Sequence, residues 1–156
     1  MDSGKSLKTI AIAGASGTIG RALEEFLIQK GNSVKRLVRH DEFDDSEIFW
    51  DPKDNYLDPK RLVGIDAIVN LAGVGIGDKR WSQKRMDQIL HSRIKGTELI
   101  CGTLSELKSN NGPNILINAS AIGYYGNSES THLTEETQQG EGFLAHVCSK
   151  WEESTQ

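Results

Sequence analysis

Between Lys8 and Gly20 the chain reads Lys-Thr-Ile-Ala-Ile-Ala-Gly-Ala-Ser-Gly-Thr-Ile-Gly, and few folds accommodate such a stretch. Thr9 to Ala13 are small or β-branched apolar residues, suited to a strand covered on both faces. Gly14, Gly17 and Gly20 then fall at three-residue spacing. In a strand–turn–helix unit the first glycine lets the chain reverse tightly. The second removes a side chain where backbone must approach a pyrophosphate, and the third lets the helix lie close on the strand. A helix starting here offers free N–H groups and the positive end of its dipole to an anion, with the Ser16 and Thr18 hydroxyls beside them. Gly14, Ser16, Gly17, Thr18, Ile19 and Gly20 are therefore the expected nucleotide contacts of the turn.

Context separates this turn from an ordinary α/β connection. Ile19, Ala22, Leu23, Phe26 and Leu27 recur at helical spacing, and Gly31 stands where a left-handed C-cap belongs. A second strand, Ser33 to Arg39, completes a βαβ unit of the length that dinucleotide binding uses.

A chain of 156 residues is expected to form one domain, residues 1–156, and 37% hydrophobic content with a net charge of −4 suits a soluble fold with its own core. That charge supplies no basic field for nucleic acid or an anionic membrane. The polar start, Met1 to Lys8, and the lack of any run of about eighteen apolar residues point to the cytoplasm. Cys101 and Cys148, the two cysteines, have neither metal spacing nor close pairing, so both read as reduced structural thiols.

An NAD-preferring protein places Asp or Glu about 20 residues past the glycines, on the ribose hydroxyls. Here the second strand ends Val38-Arg39-His40. Arg39, with Arg36 as a second guanidinium, suits a 2′-phosphate and so NADP. Two other readings stand beside it: these are solvated strand-end charges, or Asp41 and Glu42 face the ribose of NAD.

Glu47 to Trp50 reads as a third strand, Asp54 to Arg61 as a polar connection with one helical turn, and Ile65 to Leu71 as a fourth, buried strand. Right-handed crossovers on alternate sides of the first strand give a parallel sheet ordered 3-2-1-4-5. Ligands lie beyond the carboxyl ends of such strands, so Leu71, Ala72 and Gly73 should border the cofactor. After the glycine-rich loop Val74 to Arg80, a long helix runs from Trp81-Ser82 to about Lys108. Its inward stripe is Met86, Leu90, Arg93, Thr97, Ile100 and Leu104. Arg93 is the one cation there, and it either reaches the nucleotide or snorkels to water. Asn114 to Ala119 reads as a fifth buried strand. Ser120 and Tyr124, just beyond it, are placed for proton chemistry on a carbonyl or alcohol. A last helix begins at Phe143, and the chain stops soon after, as a fragment or an abbreviated fold would.

Together these residues resemble the extended short-chain dehydrogenase/reductase family, and within it the atypical branch labelled sugar-nucleotide-epimerase-like or NAD-dependent epimerase/dehydratase. The matching pieces are Gly14-Ala15-Ser16-Gly17-Thr18-Ile19-Gly20, Asn70-Leu71-Ala72-Gly73, Lys79-Arg80-Trp81, Ser92-Arg93 with Gly96-Thr97, Ser120-Ala121-Ile122-Gly123-Tyr124-Tyr125-Gly126, and Cys148-x-x-Trp151-Glu152. The resemblance runs from Lys8 to Glu153. It implies a Rossmann-like cofactor domain, an NADP or NAD cofactor and a small-molecule substrate. It also implies that the chain is the N-terminal part of a longer protein, lacking the C-terminal lobe that shapes the substrate pocket.

One departure bears on chemistry. Extended members carry a Tyr-x-x-x-Lys pair on the helix after the fifth strand, Tyr as acid/base and Lys lowering its pKa. Leu144 and Cys148 occupy those positions here, a loss the atypical branch shares. Ser120 matches the family's catalytic serine region, with Tyr124 as substitute acid. The resemblance therefore implies nucleotide binding more firmly than epimerisation, and a sensor or scaffold without turnover stands as the second reading.

Overall fold

Alternate residues of the first strand, β1 (Thr9–Ala13), feed two separate cores. Ala11 and Ala13 pack on one side of the sheet and Ile10 and Ile12 on the other, all buried. The computed structural model describes residues 7–41, 44–107, 111–127 and 132–156. After β1 come α1 (Thr18–Gln29), β2 (Ser33–Val38), β3 (Glu47–Asp51), β4 (Tyr56–Leu57) and a 3-10 turn, Pro59–Leu62. They are followed by β5 (Ala67–Asn70), α2 (Gln83–Leu107), β6 (Ile115–Asn118), a second 3-10 turn, Ile122–Tyr125, and α3 (Phe143–Glu153).

The sheet is ordered β4-β3-β2-β1-β5-β6. Its five strands other than β4 are parallel and follow the expected 3-2-1-4-5 order, with Ala13 paired to Leu37 on one side and Asn70 on the other. The unforeseen element is β4, an antiparallel edge in which Trp50 pairs with Leu57 and Asp51 with Tyr56. The helical turn expected before Arg61 is the 3-10 turn, capped by the Asp58 carboxylate on the Lys60 N–H.

Helices cover both faces, as a doubly wound sheet requires. On one face α1 packs through Leu23 and Leu27 over Ile10, Ile12 and Val69. On the other, α2 lays Leu99, Ile100 and Leu107 over Ala11, Ile48, Trp50 and Ile68. Gly96 keeps that approach close, since a Cβ there would stand 3.3 Å from the Trp50 ring. At the amino ends of the strands, Asp66 ties β5 to β1, accepting from Lys8 Nζ at 2.9 Å and the Thr9 N–H at 2.8 Å.

Three expected faces are corrected. On α1, Ile19 and Phe26 are 70% and 54% exposed and Ala22 is exposed. The turn that seats Gly20 beside Gly14 rotates Gly20, Leu23 and Leu27 toward the sheet instead. On α2 the buried residues are Ile89, Gly96, Thr97, Leu99, Ile100, Thr103 and Leu107, with Met86, Leu90, Arg93 and Leu104 half-buried at the margin. Lys108 lies outside the described residues. Finally, β6 is not buried on both faces: Ile115 and Ile117 are 54% and 55% exposed, because among the described residues this edge of the sheet carries helix on Leu116's side only.

Candidate functional site

The glycine turn is built as a close contact between two strand ends. Gly14 has φ +83°, and a Cβ on it would stand 2.9 Å from the Leu71 carbonyl carbon and oxygen and 3.0 Å from the Ala72 nitrogen. A Cβ on Gly20 would collide with the Gly14 carbonyl oxygen. Gly17 donates its N–H to Gly14 O at 3.1 Å and stands at the N-cap of α1, where no side chain caps the helix and no acidic residue occupies the first turn. The N–H groups of Thr18, Ile19 and Gly20 make no hydrogen bond to the described residues, and the Ser16 and Thr18 hydroxyls make none either. Ser16, Gly17, Thr18 and Ile19 are exposed. An uncapped helix start with unpaired donors and no side chain over its glycines is a cradle fitted to a pyrophosphate.

At the end of β2 the two arginines part company. Arg36 is half-buried and tied to its neighbours, with Nη2 3.3 Å from Glu47 Oε1, Nε 3.8 Å from Glu24 Oε1 and a 3.4 Å bond to Ser46 Oγ. Arg39 is exposed and has no hydrogen bond or ion pair with any described residue. His40 pairs with Glu47 at 3.0 Å. Asp41 is exposed, and Glu42, the other candidate for a ribose, lies outside the described residues.

Beyond β5, Leu71 and Ala72 are half-buried and Gly73 is exposed. Their path is set by a buried polar network. Asn70 takes the Ala72 N–H on Oδ1 at 3.2 Å and donates through Nδ2 to Asn118 Oδ1 at 2.7 Å and Thr97 Oγ1 at 3.0 Å. Thr97 also accepts Trp151 Nε1–H at 3.1 Å, so β5, β6, α2 and α3 meet at one hydroxyl. Satisfied on every side, such a network fixes backbone position.

Arg93 projects from α2 onto this backbone. Its Nη1 donates to Val74 O at 3.1 Å and Ile89 O at 3.0 Å, and a Cβ on Gly73 would stand 3.0 Å from its Cζ. The Trp151 ring centroid is 5.2 Å from Cζ. No carboxylate pairs with it among the described residues, and Nη2 has no protein acceptor among them. Burial pulls the guanidinium below its ordinary pKa while leaving it charged. Of the two readings open for Arg93, reaching toward the strand ends or snorkelling to water, its half-buried position beside Gly73 fits the first.

The hydroxyls beyond β6 have separate partners. Ser120 Oγ donates to Glu152 Oε1. Tyr124 packs edge-on against Tyr125, centroids 5.3 Å apart. Leu144 and Cys148 lie side by side against Gly123, so apolar atoms fill the place of the Tyr-x-x-x-Lys pair. Burial pushes the Cys148 thiol above its ordinary value, against a smaller downward pull from the Ala121 N–H. Both cysteines are free. From the sequence, Thr97 stands on the inward stripe of α2, and Asn70, Thr97, Trp151 and Glu152 stand in matched motifs, but none of them, nor Asn118, is named there as a site residue. The signal for Trp151 and Glu152 was their place in a matched motif, whereas the Asn70–Asn118 pair needs the strand register.

Among the described residues no group of three or more His, Cys, Asp or Glu comes together to hold a metal ion, and no helix is long and apolar enough to cross a membrane.

Known proteins resemble this chain in sequence and fold. An epimerase family protein of Mycobacterium bovis is 40% identical over 146 residues, covering 94% of this chain and 47% of that protein. One from Bacillus subtilis is 32% identical over 152 residues, covering 94% of this chain and 49% of that protein. Among solved structures, the nucleoside-diphosphate sugar epimerase of Corynebacterium glutamicum superposes with a TM-score of 0.79 at 35% identity, covering 96% of this chain and 30% of that one. A human epimerase family protein solved with NADPH gives 0.79 at 25% identity, covering 95% and 48%. The chain thus spans about half the length of the curated relatives it matches. The model of the NAD dependent epimerase/dehydratase family matches residues 10–147, from β1 through the glycine turn and the Asn70 network into α3, and the chain belongs to that family as its nucleotide-binding domain.

Proposed function

We propose that this chain binds NADP(H) and serves an oxidoreductase or epimerase-like reaction on a nucleotide-sugar or carbonyl substrate. The observation that carries the reading is the open start of α1, three N–H groups without a partner among the described residues, reached through a turn whose Gly14 lies against the Leu71–Ala72 backbone. Those groups would hold the pyrophosphate, with Ser16 and Thr18 adding hydrogen bonds. Arg39, free at the end of β2, would take the 2′-phosphate, and Leu71, Ala72, Gly73 and Arg93 would border the nucleotide at the strand ends. The human relative solved with NADPH supports this choice of cofactor.

When bound, the nicotinamide supplies hydride transfer. The chain's own part is to hold the nucleotide and to place the Ser120 and Tyr124 hydroxyls where a proton can be donated to, or taken from, a substrate oxygen. The two free cysteines go with a reducing compartment such as the cytoplasm.

A second reading, an NADPH-binding sensor or scaffold without turnover, is favoured by one observation: Leu144 and Cys148 fill the acid/base position with apolar atoms. Following NADPH absorbance with a panel of carbonyl compounds and nucleotide sugars, on the whole protein, decides between them. Consumption abolished by Ser120→Ala or Tyr124→Phe supports catalysis. Tight NADPH binding with no consumption across the panel supports the sensor.

A further inference from the structure

What holds Arg93 in place carries no charge. Two carbonyl oxygens take Nη1, and the flat face of Trp151 lies beneath the guanidinium at 5.2 Å. The indole is itself fixed, 6% exposed, with its Nε1–H on Thr97 Oγ1. Thr97 lies one turn along α2 from Arg93 and donates its single proton to the Arg93 carbonyl at 2.9 Å, a shorter approach than its 3.2 Å to Asn118 Oδ1. Trp151 therefore grips Arg93 at both ends, the guanidinium by its ring and the backbone through Thr97.

The choice of an aromatic over a carboxylate has a consequence. A carboxylate would neutralise the cation and compete with any anion for it. A ring face orients the guanidinium through its quadrupole and leaves the formal charge uncompensated. We propose that Trp151 is a positioning residue of the nucleotide site, holding the Arg93 cation against Gly73 so that its unpaired Nη2 meets an anionic or hydroxyl-bearing group of the bound nucleotide. The inference rests on the reading that Arg93 contacts the nucleotide, and its test separates the two.

The test measures NADPH affinity by calorimetry and the thermal midpoint for Trp151→Leu, Trp151→Phe, Arg93→Met and the Trp151→Leu, Arg93→Met double variant. Trp151→Leu should weaken NADPH about three- to thirtyfold, the range of a cation–ring contact. Trp151→Phe keeps a ring face and should recover most of that loss, and Trp151→Leu should add nothing once Arg93 is Met. A spectroscopic signature accompanies these: Arg93 side-chain proton resonances shifted upfield by the indole ring in the wild type and returned to ordinary values in Trp151→Leu. If Arg93→Met weakens binding while Trp151→Leu does not, or if the two losses add, the positioning role is overturned and the Arg93 reading survives. If Arg93→Met leaves affinity unchanged, both fall. Should Trp151→Leu fail to fold, a cycle of Trp151→Phe with Arg93→Met decides: a loss of about threefold or less that vanishes in the Met background supports the role, and a loss that persists there overturns it.

Discussion

Gly14 is seated directly against Leu71, with room for a hydrogen and not for a methyl group: a Cβ would stand 2.9 Å from the Leu71 carbonyl carbon and oxygen. Its φ of +83° adds a second objection to any side chain. Gly14→Ala should therefore lose about 1–2 kcal/mol from the left-handed backbone alone, with further loss from the overlap. Gly77, in the loop after β5, has open space within 4 Å of the place a methyl group would take, and no positive φ, so Gly77→Ala should stay within about 0.5 kcal/mol of wild type. Urea unfolding of both variants is the check, and equal destabilisation would refute the close contact.

Arg36 and Arg39 make a matched pair of opposite expectation. Arg39→Ala should weaken NADPH by roughly tenfold to a hundredfold, the 1.5–3 kcal/mol of a charge-assisted bond, while leaving NADH affinity and the melting temperature unchanged. Arg36→Met breaks contacts to Glu24, Glu47 and Ser46. It should lower stability by about 1 kcal/mol or less, as partly exposed pairs do, without altering the ratio of the two affinities. A changed ratio in Arg36→Met, or an unchanged one in Arg39→Ala, would exchange their roles.

Stability should fall on the alkaline side through Cys148. Burial raises its thiol pKa in the folded state, so the folded protein holds this proton more tightly than the unfolded chain. That advantage is fully present below the unfolded value, about 8.5, and is lost as pH rises through the higher folded value. Thermal midpoints from about pH 7 to 10 should decline more steeply in wild type than in Cys148→Ala. Parallel slopes would mean that the thiol ionises as easily folded as unfolded.

The parts legible in the sequence are those written by local pattern. Thr9 to Gly20 announces strand, turn and helix in one run, and the parallel order follows from crossover rules once the strands are found. A two-residue strand such as Tyr56–Leu57 has no period to read, and it exists because Trp50 and Asp51 offer it an edge. Ile115-Leu116-Ile117 looks the same whether one face is covered or two, so its exposure depends on packing far away in the chain. The wide apolar stripe of α1 did not fix the helix's rotation: Gly20 did, by needing to lie beside Gly14. Of the proposed nucleotide contacts, the glycines and Arg39 were visible as residue types suited to phosphates. The Trp151–Arg93 stack and the shared Thr97 hydroxyl were not, because they join helices distant in sequence through side-chain geometry alone.

Titrating the unaltered protein with NADPH and with NADH, each followed by calorimetry under the same buffer and salt, tests the nucleotide site itself. Binding of both, with NADPH tighter by at least about tenfold, is the expected result, since on the proposed reading the α1 N-terminus would serve either pyrophosphate and Arg39 only the 2′-phosphate. Equal affinities would move the ribose contact to Asp41 or Glu42, and no binding of either nucleotide would contradict the site itself.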